Sequence, residues 1–286
     1  MAVLSSLRTA LGSLVSNPVL FVASFLIGLV TLPQNALGLL GIPLAPTLLQ
    51  LVTFFITPFL LAGLIGMAVE AQADGTALDT LSREGKEHYV PLLLGTLLRA
   101  AIQFAFGIVV ALFGIVAVVV GIGGTGALSG GNADPAALVG SLGLIAVVFL
   151  LVVVVPYLAV LFLIQFFPVA IVVEDRDVID ALKRSYGVVR SNLFPALGYT
   201  VLSVLVWLLQ AVPVSAFTLG RSLSQFQNLE AGGTPTTGGG FGNAGSLSLF
   251  SPVEVAVISA MSLVLVTLLF ALQQSYAVAF FQAVRD

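Results

Sequence analysis

Residues 9–69 carry no charged side chain, and the same is true of 135–173, 191–220 and 255–284. A helix needs about 20 apolar residues to cross the hydrocarbon core, and a water-soluble domain cannot hide uncharged runs of this length. The rest of the composition agrees. Apolar residues make up 59% of the 286 and charged residues only 8%, against roughly 45–50% and about 25% in soluble domains. The chain therefore reads as an all-α, polytopic membrane helical bundle forming a single integral membrane domain over 1–286.

Counting in units of a span predicts six transmembrane helices, at about 18–40, 47–69, 91–120, 136–160, 193–219 and 252–281. Arg8 alone precedes the first apolar stretch and no small-x-small cleavage pattern follows it closely, so this stretch reads as an uncleaved span. The pairs Asn17-Pro18, Asp134-Pro135 and Ser251-Pro252 place a capping side chain before a proline that suits a first helical turn. Ser251 and Glu254 have capping-box spacing. The 39 uncharged residues from Pro135 to Val173 would make a helix of about 58 Å, too long for one straight crossing. A kink near Pro156 and a break near Pro168 are expected. Seven glycines within 231–245 read as a flexible linker.

With six spans both termini share one side. That side collects Arg8, Arg83, Lys86, Arg99, Arg176, Lys183, Arg184, Arg190 and Arg285, while Arg221 stands alone opposite. The positive-inside rule then puts both termini in the cytoplasm of a cell-membrane protein. Each cytoplasmic segment before an odd-numbered span looks amphipathic: Leu4, Leu7, Leu11 and Leu14 stripe the first, and Val178, Leu182, Tyr186, Val189 and Leu193 the third. The middle one, 76–89, has a thin stripe of Leu78, Leu81 and Tyr89 interrupted by Gly85. Leu7, Gly12, Ser16 and Asn17 recur as Leu182, Gly187, Ser191 and Asn192, which suggests repeated units at 3–70, 76–173 and 176–286.

The stretch from Phe167 through Pro168 to Glu174, followed by Val178, Ala181-Leu182-Lys183-Arg184-Ser185, Val189-Arg190 and Asn192, resembles the signature of a broad prokaryotic multi-pass family. That family includes the membrane domain attached to some glycerophosphoryl diester phosphodiesterases and the YciC-like proteins. The whole chain also resembles uncharacterised integral membrane proteins of haloarchaea. The resemblance implies the architecture and a link to membrane lipids.

Chemistry is sparse. With no cysteine, thiol and disulfide chemistry is excluded. His88, the sole histidine, lies beside Glu84 and Glu87 in a spacing that is not HExxH, and reads as an exposed loop residue without metal or catalytic duty. No G-x-S-x-G occurs. The expectation is no catalytic residue, no cofactor and no metal. The net charge of −3 and the absence of a long basic run exclude nucleic acid as a partner. Gln103, Gln165, Gln210, Gln273 and Gln274 lie in spans, where glutamines bridge helices, and Arg99 snorkels. Ser24/Gly28 and Ala256/Ala260 fit close helix packing, within the bundle or between copies. The leading expectation is a non-enzymatic accessory or scaffold, with Lys183, Arg184 and Arg190 as contacts for membrane lipids, other membrane proteins or a second copy. Its rival is a transporter or channel for a lipid-like or small apolar solute, which would need a continuous polar cavity.

Overall fold

The computed structural model describes residues 2–42, 44–124, 147–217, 219–220 and 250–285. The described residues form an all-α bundle with no strand. The helices are α1 (Ala2–Ser16), α2 (Val19–Leu39), α3 (Ala45–Ala71), α4 (Leu78–Glu87), α5 (Tyr89–Gly124), α6 (Val155–Leu163), α7 (Phe167–Glu174), α8 (Val178–Ser191), α9 (Leu193–Gln210) and α10 (Pro252–Val284). Six stretches are long and apolar enough to cross a membrane: Val19–Leu39, Ala45–Ala71, Tyr89–Val116, Val147–Glu174, Leu193–Gln210 and Pro252–Val284. They mark a multi-pass membrane protein, with six candidate spans among the described residues. The expected Asp134 cap, the linker at 231–245 and the start of the fourth span lie outside the described residues.

The fourth span breaks where its prolines require. A π-helical turn, Leu150–Val154, precedes Pro156, as expected where a proline removes a ladder hydrogen bond. A second interruption at 164–166 precedes α7, which has Pro168 in its first turn. At the opposite end of the molecule Ser251 caps α10: its hydroxyl accepts from the Glu254 amide while the Glu254 carboxylate accepts from the Ser251 amide. Asn17 does not cap α2. Its side chain donates to the Ser13 and Ala71 carbonyls, at 3.1 and 3.3 Å, and accepts from the Thr76 amide at 3.3 Å. The side chain is thus used to hold the return of α3 beside α1.

The short helices α1, α4 and α8 lie at the end of the bundle that carries both termini, which we call the terminal end. Each packs on the last turns of a spanning segment: α1 on α10, α4 on α3, and α8 on α7. Each turns small or slender side chains inward. Ser6, Ala10 and Ser13 are buried on α1; Leu81, Gly85 and, just past its end, His88 on α4; and Ala181, Ser185 and Val188 on α8. The expected stripes divide: Leu4, Leu11 and Tyr186 are exposed, while Leu14, Leu81 and Val189 are buried beside the small residues. Close approach to a neighbouring helix selects small side chains, and leucines pointing away meet lipid at no penalty. Gly85 is likewise a contact and not an interruption, since a Cβ there would come 2.8 Å from the Phe59 ring.

The main core fills the terminal half. Phe166, Phe280, Phe281, Tyr199 and Tyr276 interlock there, with ring centroids 4.8 Å apart for Phe166–Tyr199 and 5.0 Å for Tyr199–Phe280. A second, smaller apolar cluster of Phe250, Val255 and Ile258 sits at the far end.

Candidate functional site: a clasped terminal end and a polar recess

Glu70, at the end of α3, gathers the α3–α4 connection. Its carboxylate accepts from the Thr80 hydroxyl at 2.6 Å and the Thr76 hydroxyl at 3.2 Å, and pairs with Arg83. Hydrogen bonds to Glu70 and then to Glu84 raise the Arg83 guanidinium above its ordinary value. Two glycines admit this contact: a Cβ on Gly63 or Gly66 would fall within 3.0 Å of Leu81 or Glu84.

His88 differs from its expected place. It is 5% exposed, wedged where α4 meets α5, with Nδ1 3.5 Å from Glu84 and Nε2 3.5 Å from Asp175. Nothing in the linear sequence points to Asp175, which follows α7 in a left-handed conformation at φ +48°. The residue is buried because α4 lies flat against α3, so its inward face continues to position 88. One donor atom each from Glu84, Glu87 and His88 lie within 4.8 Å of one another. Arg83 already faces the Glu84 carboxylate at 3.3 Å, so a cation there would compete with a guanidinium.

A second clasp centres on Glu174. It pairs with Arg176 at 2.5 Å and with Arg184 at 3.0 Å, and Arg184 also donates to the Arg285 carbonyl at 2.7 Å. Arg184 therefore ties α8 to α7 and to the end of the chain. Of the three basic residues named from the sequence, it alone is turned into the protein. Lys183 is 73% exposed and pairs with Asp180 at 3.0 Å. Arg190 reaches over the Tyr186 ring, 6.0 Å from its centroid, and donates to the hydroxyl at 3.3 Å.

Ser185, which the sequence signature includes without a role, organises the break before α7. Its hydroxyl donates to the Leu163 carbonyl at 2.8 Å and accepts from the Phe166 amide at 3.1 Å. Next to it, Gln165 accepts from Thr200 at 3.0 Å, one of the expected bridges between spans. Gln103 lines a small apolar cleft of about 210 Å³ with Phe106 and Tyr157. Ser24 is buried and Gly28 faces Leu263, whereas Ala256 and Ala260 are exposed. The first small-residue pair serves the bundle, and the second is left on its surface.

In the far half, between the two apolar clusters, α2, α9 and α10 wall a half-open recess of about 440 Å³. Its polar lining is Thr31, Gln34, Asn35, Gln210, Ser259 and Ser262, with no charged side chain. The aromatic cluster occupies the terminal half.

The chain belongs to a family described as a domain of unknown function (DUF7847), whose model matches residues 1–284. No curated protein and no solved structure matches it.

Proposed function

For a chain of this family we propose a non-enzymatic accessory or scaffold in the cell membrane, with both termini cytoplasmic, which gathers anionic lipid or an acidic partner surface at its terminal end. One observation carries the reading: Lys183 and Arg190 stand outward on α8, while the neighbouring Arg184 is spent on internal contacts. An amphipathic helix at the bundle's end, with exposed Ile179 and Tyr186, suits a position at the head-group level. The resemblance of 167–192 to lipid-linked membrane domains points the same way.

The test uses the purified protein in nanodiscs of mixed phosphatidylglycerol and phosphatidylcholine, with retained lipid read by native mass spectrometry. At about 1 kcal/mol for each basic residue near an anionic surface, Lys183→Gln with Arg190→Gln should lower the preference for phosphatidylglycerol about tenfold or more. The fold should be intact. Unchanged retention in the folded double variant would sink the proposal. Arg184→Gln belongs in a separate arm, because its loss opens the Glu174 clasp.

A further inference from the structure

The recess between α2, α9 and α10 combines an open volume with polar atoms that lack a partner. In hydrocarbon an unpaired polar group costs several kcal/mol, so bundles pair or exclude such groups. Two walls of the recess nevertheless present buried, unpartnered polar atoms, Gln210 Nε2 from α9 and Ser259 Oγ from α10. A third wall adds Gln34, whose side-chain amide meets the Thr53 hydroxyl with one end at 2.9 Å and leaves the other end toward the recess. The Thr31 hydroxyl is turned back onto the Ile27 and Gly28 carbonyls. The unspent capacity of the site is amide and hydroxyl capacity, which donates to an occupant's oxygens and accepts from its hydroxyl.

That occupant carries no net charge. The lining offers nothing to neutralise an ion, and burying an unpaired charge at this depth is prohibitive. It also comes from the bilayer. The neighbouring turns of α10 expose Val257, Met261, Val264 and Leu268, so apolar tails find a matching surface outside while the oxygen-bearing part enters. The volume is in the ordinary range for small-molecule sites, about 300–1,000 Å³. We propose that the recess is a binding site for an uncharged, ester- or ether-linked glyceride with a free hydroxyl, held by Gln210 and Ser259. It is separate from the terminal end and independent of the function proposed there.

The probe is a dioleoylglycerol analogue with a diazirine near the carboxyl end of one chain, photolysed with the full-length protein in detergent. Cross-linked peptides are mapped by mass spectrometry. Labelling should fall on α2, α9 or α10 and exceed that by the matching phosphatidic acid probe about tenfold. Excess unlabelled dioleoylglycerol should suppress it, and free glycerol should not. Losing one hydrogen bond of about 1 kcal/mol predicts a drop of about fivefold for Gln210→Leu and for Ser259→Ala. Ser262→Phe, which fills the recess, should abolish labelling.

Melting temperature separates binding from packing. Gln210→Leu removes an unpaired donor, so in delipidated protein it should melt no lower than the parent chain. Equal labelling by both probes, labelling elsewhere, suppression by glycerol, unchanged labelling in Gln210→Leu, or a clear fall in its melting temperature would each overturn the proposal.

Discussion

A methyl group at Gly66 would meet Glu84 Cβ at 2.7 Å, and one at Gly63 would press on the Leu81 backbone. The α3–α4 contact therefore depends on two missing side chains. Gly66→Ala should lower stability by about 1–3 kcal/mol, the usual cost of overpacking, measured by thermal melting in detergent. His88 makes the complementary case. From its neighbours Glu84 and Glu87 it looked like a solvated residue, because local charge is all that the linear sequence displays. Its burial comes from α4 lying on α3, and exposed Asp175, from a segment far along the chain, reaches it from outside at 3.5 Å. His88→Ala should accordingly destabilise the protein by about 1–3 kcal/mol through the cavity and the lost polar contacts, whereas a solvated histidine would be silent in the same melt.

At the scale of helices, hydropathy and proline positions made the spans legible, including both interruptions of the fourth. Which face of each short helix turns inward was not legible. Leucine stripes mark an apolar face, but in a membrane protein that face can meet lipid, and on α1 and α8 the inward face centres on Ser6, Ala10, Ala181 and Ser185 and takes in only part of each stripe, Leu14 on one and Val189 on the other. Asn17 and Asn192 show the same device in two places. Each donates to the carbonyl four residues back and to the end of a spanning helix, Ala71 for one and Val284 for the other, at 3.3 and 3.2 Å. Ser185 tests the economy of such junctions, because its hydroxyl serves the broken backbone at two points. Ser185→Ala leaves the Phe166 amide unpaired and should cost about 1–3 kcal/mol. Ser185→Cys, similar in size but a weaker hydrogen-bond partner, should show that the loss is not a matter of volume.

For the molecule as a whole, polarity is divided between two levels. Ion pairs bind the short helices together at the terminal end, and uncharged hydrogen-bonding groups collect in the far half around one recess. The orientation proposed from the basic residues is testable because the chain has no native cysteine. Leu44→Cys, at an exposed position between α2 and α3, should react with an impermeant thiol reagent on intact cells. Ser82→Cys and Ser191→Cys, both exposed at the terminal end, should react only after permeabilisation. The reverse pattern would invert the topology.

The sequence by itself determined the apolar surroundings, the six candidate spans among the described residues and the points at which the fourth breaks. These follow from free energies that add residue by residue: transfer into hydrocarbon, the missing proline N–H, and the cost of charge at depth. Only the tertiary structure decided that His88 is buried, that Arg184 is a clasp while Lys183 and Arg190 stand outward, and that Gln210 and Ser259 share a recess. Each of those outcomes depends on which side chain from a distant helix occupies the neighbouring space. In a bundle where nearly every surface is apolar, hydropathy does not distinguish a lipid-facing position from a packed one.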